Sequence, residues 1–246
     1  METNNLIDFI VKWISDYAIS VEGNPKTLVI GVSGGIDSAV TSTLCAKTSL
    51  KTIVVSMPIR QKENQHSLSL SHINWLKSNY NNVSNYTISL DSLFNSFSDT
   101  LKEFNSDLAF ANSRSRLRMT TLYQIAQFNN GIVVGTGNKV EDFGIGFYTK
   151  YGDGGVDISP IADCTKTQVW NMGRKLNIIE DIINAKPTDG LWDDNRNDEE
   201  QIGLTYKQIE EAMGNPKSQY YNQYIKIRNP NLHKMKPIPV CKIKES

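Results

Sequence analysis

Hydrophobic and polar positions alternate along the chain in blocks that predict a regular succession of helices and strands. The apolar residues nearest the start repeat at helical spacing, which predicts an amphipathic helix there. They are Leu6, Phe9, Ile10, Trp13 and Tyr17. Short, unbroken apolar runs rich in β-branched residues are typical of central parallel strands, which are buried on both faces. The runs that predict strands are 27–32, 51–57, 86–90 and 132–135.

Segments with helical periodicity lie between and after these strands. The predicted helices are 39–47, 66–77, 91–103, 113–128, 165–176 and 205–213. The last begins with a capping box, because Gln208 follows Thr205 by three positions, and Gly214 ends it. Since strands and helices alternate, we expect an α/β fold with a doubly wound, Rossmann-like parallel sheet flanked by helices. No linker interrupts the pattern, so we expect a single domain over 1–246.

Two segments depart from this alternation. Residues 136–159 are rich in Gly, Asp and Lys and show no periodicity. A loop of this length in a small domain is usually functional. Residues 187–200 are polar and acidic, and we expect them to be mobile.

Charge and cysteine content exclude several kinds of partner. Lys plus Arg number 26 and Asp plus Glu number 26, so no basic field would attract a nucleic acid. Cys45, Cys164 and Cys241 form no CxxC pair, which argues against a zinc or iron–sulfur site and suits a reducing compartment. Charged residues interrupt the apolar N-terminal stretch, which predicts neither a signal peptide nor a membrane span. We therefore expect a cytoplasmic protein that binds no membrane.

The strongest chemical signal is the turn 33–38, Ser-Gly-Gly-Ile-Asp-Ser, between the first strand and the next helix. Ligands of parallel sheets bind beyond the carboxyl ends of the strands, and a helix N-terminus attracts anions. Gly34 and Gly35 would let the backbone close around phosphate oxygens. Asp37 adds a negative charge that a Mg²⁺ ion between carboxylate and phosphate would offset. The alternative is an ordinary glycine-rich turn with a Ser/Asp helix cap.

This turn resembles the SGGxDS loop of the ATP pyrophosphatases (the adenine nucleotide alpha-hydrolase superfamily), which includes NAD, GMP, asparagine and argininosuccinate synthetases. These enzymes split ATP between its α and β phosphates. The resemblance implies an ATP-binding strand end and turn. Its residues are Gly31, Val32, Ser33, Gly34, Gly35, Ile36, Asp37 and Ser38.

Four further segments resemble the ammonia-dependent NAD synthetases in particular. They are 113–119, which has Ser115 where alanine is usual, 135–141, 147–157 (Phe-Tyr-Thr-Lys-Tyr-Gly-Asp-Gly-Gly-Val-Asp), and a scattered set at 165–168, 186–188 and 233–234. The resemblance implies contacts to deamido-NAD from Arg116, Lys150, Asp157, His233 and Lys234. It implies contacts to ATP from Thr136, Lys166 and Thr188, and a Mg²⁺ site on Asp37 and Glu141. Taken singly, each residue has an alternative role as a surface charge or a helix-capping acid.

The implied reaction activates the nicotinate carboxylate of deamido-NAD. That carboxylate attacks the α-phosphate of ATP and expels pyrophosphate, and ammonia then displaces AMP to give NAD. We expect Asp37 and Lys166 to act on the phosphates, and Asp153 or Asp157 to take a proton from ammonium. The synthetase pattern leaves no room for a glutamine amidase domain, so free ammonia is the expected nitrogen source. The resemblance also implies a homodimer.

Three rival functions remain at this point. A tRNA-modifying enzyme of the same superfamily would need a basic surface and often paired cysteines. A GMP-synthetase-like enzyme would share the first turn but not the segment 147–157. A non-catalytic nucleotide-binding protein would have no need of both Asp37 and Glu141.

Overall fold

The computed structural model describes residues 1–61, 63–187 and 198–243. Within these residues four strands form one parallel sheet. They are β1 (Thr27–Gly31), β2 (Lys51–Ser56), β3 (Val83–Thr87) and β4 (Gly131–Val133), and their order across the sheet is β3-β2-β1-β4. Thr27 pairs with Lys51 of β2 on one side and with Gly131 of β4 on the other. The predicted parallel α/β sheet is therefore confirmed.

Helices account for most of the remaining described residues. They are α1 (Thr3–Ser20), α2 (Ile36–Lys47), α3 (Glu63–Asn79), α4 (Asp91–Thr100), α5 (Asp107–Phe128), α6 (Lys166–Lys175), α7 (Glu180–Asn184), α8 (Asp198–Ile202), α9 (Tyr206–Gly214), α10 (Tyr221–Arg228) and α11 (Leu232–Met235). Single 3₁₀ turns lie at Lys102–Phe104 and Asn229–Asn231, and a π-helix spans Lys139–Ile145. None of the helices in this part of the chain is long and apolar enough to cross a bilayer. Most of the segment 187–200, including Thr188, lies outside the described residues.

The third strand begins earlier than predicted. It runs over Val83–Thr87 and not over 86–90, and its residues are mostly exposed or half-buried. As an edge strand it faces solvent, so it carries no continuous apolar run that would mark its bounds. Residues 88–90 instead lead into α4.

The predicted N-terminal helix is present, but the apolar face assigned to it was largely wrong. Its buried residues are Ile7, Ile10, Ile14 and Ala18, whereas Phe9 is 58% exposed and Trp13 and Tyr17 lie at the surface. Two rows of apolar residues, one aliphatic and one aromatic, run along this helix at the same spacing. The compact aliphatic stripe fits the close-packed interior against α2 and α6, and the aromatic stripe remains outside.

Alternate residues of the sheet face two separate hydrophobic clusters. Leu28 and Ile30 of β1 point to a cluster shared with α1, α2, α3, α6 and α7, and Val29 points to a second cluster shared with α4 and α5. On α5, Leu122 and Ala126 pack into this second cluster, so that part of the helix serves the core. A third cluster joins the π-helix to α8, α9 and α10.

The strand order places a topological switch point between β1 and β4. From β1 the chain winds outward through β2 and β3, and it then returns to the opposite side of β1 to form β4. In such sheets the connections after the two central strands leave on opposite faces and open a crevice at their carboxyl ends. The turn 33–38 follows β1, and the π-helix at Lys139–Ile145 comes shortly after β4. Both therefore border this crevice.

Candidate active site

The turn after β1 is held by its two serines. The Ser38 hydroxyl accepts the backbone N–H of Ser33 at 3.2 Å and donates to the Gly35 carbonyl at 2.9 Å, and the Ser33 hydroxyl accepts the N–H of Gly35 at 3.2 Å. Gly34 has φ +92°, a left-handed conformation that favours glycine. Helix α2 begins within this turn at Ile36, and its N-cap residue, Gly35, has no side chain to cap the first N–H groups of the helix. These N–H groups therefore form a site suited to an anion.

The other residues predicted to form this ATP-binding segment anchor the turn to the sheet and the core. Gly31 ends β1. Val32 is buried, donates its N–H to the carbonyl of Val55 at 2.9 Å, and accepts the Ser69 hydroxyl at 2.7 Å. Ile36 is also buried in the core.

Lys166 joins the two carboxylates that the sequence assigned to a metal. Its Nζ donates to Asp37 Oδ2 at 2.6 Å and to Glu141 Oε1 at 2.9 Å. The Lys166 side chain is only 2% exposed, and the carboxylates are 18% and 15% exposed. Asp37 comes from the start of α2, Glu141 from the π-helix, and Lys166 from the first residue of α6. Three segments distant in sequence therefore converge at one buried ion cluster.

Asn138 connects the turn after β1 to the π-helix after β4. Its Oδ1 accepts the backbone N–H groups of Val140 and Glu141 at 3.0 and 3.1 Å, so it caps the π-helix. Its Nδ2 donates to Asp37 Oδ1 at 3.0 Å. This fully buried amide fixes Asp37 relative to Glu141. Asn138 lies inside the segment 135–141 but is not among the predicted site residues, although an Asn at the start of a helix is a recognisable capping signal.

Tyr206 is a second residue that the sequence reasoning missed. It is 1% exposed, its hydroxyl lies 2.5 Å from Glu141 Oε1 and 3.1 Å from Asp198 Oδ2, and its ring lies 4.8 Å from Lys166 Nζ. The capping box at Thr205 predicted where α9 begins, and the structure confirms it. That signal placed Tyr206 at the first helical position but said nothing about what its side chain faces.

The charges of the cluster depend on each other. Burial works to lower the pKa of Lys166, but Asp37 and Glu141 outweigh burial and raise that pKa, so Lys166 is protonated at neutral pH. Burial raises the pKa of Asp37 even against Lys166. Burial also works to raise the pKa of Glu141, but Lys166 and the Tyr206 hydroxyl outweigh it and lower that pKa. With both carboxylates ionised, the cluster carries one net negative charge.

Asp142, next to Glu141, is a further acid that the sequence reasoning did not select. Burial raises its pKa well above the usual range, and Glu141, Asp153 and Asp37 add to the shift. It packs against the backbone at Gly137, where an added Cβ would lie 1.9 Å from its Oδ2. Glycine at 137 therefore leaves room for this carboxyl beside the cluster.

The loop 147–157 is tied to α5 through Asp153. Its Oδ1 accepts the Ser115 hydroxyl at 2.7 Å and the Thr149 N–H at 3.0 Å, and its own N–H donates to Ser115 Oγ at 2.9 Å. Thr149 also donates its hydroxyl to Asn112 Oδ1. The serine that replaces the usual alanine at 115 thus has a direct role in holding this loop. In the described part of the chain no donor contacts Oδ2 of Asp153.

Asp157 secures the outer edge of β4. Its Oδ2 accepts the backbone N–H of Val133 at 2.7 Å, and its Oδ1 accepts the Tyr123 hydroxyl at 3.0 Å. Burial and the Asp157 charge raise the pKa of Tyr123 to about 12. Both carboxylate oxygens of Asp157 are therefore engaged by the protein itself.

Four of the residues predicted to contact deamido-NAD lie in two parts of the structure. Arg116 contacts the loop at Lys150, and His233 and Lys234 lie in α11. Arg116 is exposed, and its Nε donates to the backbone carbonyl of Lys150 at 3.3 Å, which places Arg116 against the loop 147–157. His233 is exposed, and its Nδ1 lies 3.1 Å from the Pro230 carbonyl. Lys234 donates to the backbone carbonyls of Gly146 and Tyr148, which follow the π-helix. Thr136, which is predicted to contact ATP, lies between β4 and the π-helix.

Fold and site together define a doubly wound α/β protein with a glycine-containing turn suited to an anion and a buried ion cluster at its switch point. The chain matches the family described as NAD synthase over residues 6–241. It is 35% identical over 239 residues to the NH(3)-dependent NAD(+) synthetase of Mesoplasma florum, covering 96% of this chain and 93% of that one. The corresponding protein of Carboxydothermus hydrogenoformans is 37% identical over 212 residues, 83% of this chain and 82% of that one. This chain belongs to the NAD synthase family.

Solved structures resemble it over almost its full length. The NMN synthetase of Francisella tularensis has a TM-score of 0.90 and 31% identity, covering 99% of this chain and 100% of that one. The NH3-dependent NAD synthetase of Campylobacter jejuni has a TM-score of 0.79 and 22% identity, covering 98% of this chain and 100% of that one. At that identity the second likeness concerns the fold alone.

Proposed function

We propose that this protein is an amide-forming ligase that converts ATP, deamido-NAD and ammonia to NAD, AMP and pyrophosphate. One observation carries the proposal: Lys166 bridges Asp37 and Glu141 beside the anion-binding turn, at the switch point of the sheet. A protonated, buried lysine near a phosphate turn neutralises charge that develops on a leaving pyrophosphate. The family and its NH(3)-dependent relatives support this reading.

Asp37 and Glu141 fit the Mg²⁺ ion expected for the reaction. They supply two hard oxygen ligands that are held within hydrogen-bond distance of one ammonium group. In the described part of the chain no group of three or more His, Cys, Asp or Glu side chains is arranged to hold a metal. The remaining ligands would therefore come from phosphate oxygens and water. When bound, Mg²⁺ would supply further neutralisation of the pyrophosphate charge.

The protein's own groups align and stabilise; none need form a covalent bond. The N–H groups at the start of α2 would hold the ATP phosphates while the nicotinate carboxylate attacks the α-phosphorus and pyrophosphate leaves. The acyl-adenylate then loses AMP as ammonia attacks its carbonyl carbon. The second step needs neutral ammonia, so an acceptor must take a proton from ammonium. We assign this acceptor to Asp153, because its Oδ2 remains available whereas both oxygens of Asp157 are engaged.

A second candidate function is amidation of the mononucleotide, that is, conversion of nicotinate mononucleotide to NMN. The NMN synthetase of Francisella tularensis is more similar in structure than the Campylobacter synthetase, with TM-scores of 0.90 and 0.79. The two reactions share the same carboxylate activation and differ in whether an adenylate half is attached to the substrate. The ion cluster therefore serves either reaction.

One experiment separates these functions. The protein is given ATP, Mg²⁺ and an ammonium salt with either deamido-NAD or nicotinate mononucleotide, and the amide product, AMP and pyrophosphate are measured. We expect a higher kcat/KM for deamido-NAD. A preference for the mononucleotide would establish the second candidate, and release of ADP and phosphate would contradict α–β cleavage. Asp37→Ala should fold normally and lose nearly all turnover.

We also propose that the protein is a single-domain, cytoplasmic homodimer that takes free ammonia as its nitrogen source. The family resemblance supports the dimer, and the similarity to NH(3)-dependent relatives supports ammonia. Light scattering with size-exclusion chromatography measures the mass of the particle. A mass of one chain at micromolar concentration would contradict the dimer. Equal rates with glutamine and ammonium would contradict the nitrogen source.

A further inference from the structure

The geometry points to Arg228 and Asn231 as positioning residues for Glu141. This inference rests on the proposed function, because it concerns how that reaction's carboxylate is held. Neither residue lies in a motif that the sequence singled out. Both lie at the end of the chain, in α10 and the 3₁₀ turn that follows it.

The π-helix that carries Glu141 creates a need for hydrogen-bond donors. Its N–H groups bond five positions back, so the last carbonyls of the helix have no partner within it. The Glu141 carbonyl accepts the N–H groups of Gly146 and Phe147, the latter at 2.8 Å. The last three carbonyls of the helix, those of Phe143, Gly144 and Ile145, need donors from outside the helix.

Three side chains of the C-terminal segment supply these donors in order. Arg228 Nη1 donates to the carbonyls of Phe143 and Gly144, the second at 2.6 Å. Asn231 Nδ2 donates to the Ile145 carbonyl at 3.0 Å. Lys234 Nζ donates to the carbonyls of Gly146 and Tyr148 at 2.5 and 2.9 Å. The three donors recur every third residue, and we call Arg228, Asn231 and Lys234 the donor ladder.

The donor ladder lies directly against the backbone it serves. Gly146 has φ +68°, and a Cβ at this position would lie 2.6 Å from the Asn231 Cβ. This conformation favours glycine, and the close approach leaves no room for a side chain at 146. Two cationic side chains at the C-terminal end of the π-helix also face the negative end of its dipole.

Glu141 is thus fixed at both ends. Its carboxylate contacts Lys166 and Tyr206, and its carbonyl is the acceptor that closes the π-helix onto Gly146 and Phe147. If the ladder releases the carbonyls from Phe143 onward, the π-helix can relax to another winding and rotate Glu141 away from Lys166. Because catalysis depends on alignment, a shift of about 1 Å at this carboxylate would lower turnover by up to about 100-fold.

The test uses the full chain with three variants. Arg228→Met and Asn231→Leu remove donors, and Lys226→Met is the matched control, because Lys226 is an exposed cation on the same helix. We expect kcat to fall about 10- to 100-fold in the first two with KM for ATP changed less than about threefold, the pattern of an interaction made in the transition state. Lys226→Met should keep the wild-type values. Arg228→Lys, which keeps a donor, should recover part of the loss.

Two further readouts distinguish positioning from general damage. In a double-mutant cycle with Glu141→Gln, the loss caused by Arg228→Met should largely disappear, since residues that act together are not additive. Amide exchange over 141–148 should accelerate in both ladder variants and not in Lys226→Met. Additive losses, or unchanged exchange over 141–148, would overturn the inference. If Arg228→Met does not fold, Asn231→Leu carries the same tests.

These readouts also separate this inference from the proposed function. If wild-type protein forms no amide from either nicotinate substrate, the proposed function fails. The exchange experiment still tests the ladder in that case, because it needs no turnover.

Discussion

The imidazole of His72 makes the stability of this protein sensitive to mild acid. His72 lies on α3 and is 0% exposed, with its ring stacked on Trp75 at 5.6 Å between ring centres. Its Nε2 lies 3.0 Å from the Ser42 hydroxyl of α2, and its Nδ1 has no hydrogen-bond partner among the described residues. A proton on Nδ1 would therefore be buried without an acceptor. Burial lowers the pKa of His72 to about 4, against a small opposing effect of the Ala39 carbonyl.

The direction of the effect follows from which state binds the proton first. The unfolded chain protonates this histidine near its ordinary pKa of 6.5, whereas the folded protein resists protonation until about pH 4. Neutral His72 therefore makes its full contribution to the free energy of unfolding above about pH 6.5, and this contribution is lost as the pH falls toward 4. A shift of about 2.5 pKa units corresponds to about 3.4 kcal/mol at the acid limit, and to about 1.4 kcal/mol at pH 5.5.

Urea unfolding of the wild type and of His72→Gln at several pH values isolates this contribution. Other groups titrate equally in both proteins, so their effects cancel in the difference of unfolding free energies. We expect the advantage of the wild type to shrink by about 1.4 kcal/mol between pH 7.5 and 5.5. The matched control is His233→Gln, which alters an exposed ring. A difference that stays constant over this range would refute the reasoning, because it would mean that His72 protonates alike in both states.

Three further substitutions probe the ion cluster and its surroundings. Tyr206→Phe removes the hydroxyl that contacts Glu141 and keeps the ring, so we expect a loss of about 1–2 kcal/mol in urea unfolding and a lower kcat. Lys166→Met leaves two buried carboxylates without their cation; unfolding at pH 7.5 should show a loss of about 3–5 kcal/mol, and turnover should vanish. Gly137→Ala drives a Cβ to 1.9 Å from Asp142 Oδ2, and thermal unfolding should show a loss of about 1–3 kcal/mol.

Each of these variants has a control of the same chemistry. Tyr220→Phe removes a hydroxyl on a half-buried tyrosine outside the cluster, and Lys175→Met removes an exposed cation at the other end of α6. Gly214→Ala adds a Cβ where no atom lies within 4 Å. A control as damaging as its partner would show that the loss is not specific to the cluster.

Local patterns in the sequence predicted the sheet and the first turn because both depend on neighbouring residues. Unbroken apolar runs marked β1 and β2, and the sequence at 33–38 sets its own geometry through Gly34 and the two serines. The bounds of the edge strand β3 were predicted wrongly, because a strand that faces solvent has no continuous apolar run to mark where it begins and ends. The two apolar stripes of α1 had equal spacing, and only packing against other helices decides which is buried.

Local sequence patterns could not predict the π-helix or the partners of Glu141, and the cause is different. A π-helix differs from an α-helix by a change in winding that leaves no mark in a short glycine-containing segment. What stabilises it is the donor ladder, more than 80 residues away along the chain. Tyr206 likewise acquires its role from a contact across 65 positions. No motif of a single segment contains that information.

A carboxylate such as Asp37 in a turn predicted to bind an anion looks contradictory in the sequence, and the ion cluster resolves the contradiction. An isolated carboxylate at the start of α2 would repel phosphate. Here Lys166 approaches to 2.6 Å and Asn138 donates to the other oxygen, so the charge of Asp37 is already largely compensated. One net negative charge remains when Glu141 is included. A cluster so balanced can accept a divalent cation together with a polyanion, whereas a turn lined by lysines alone would bind the polyanion without the metal.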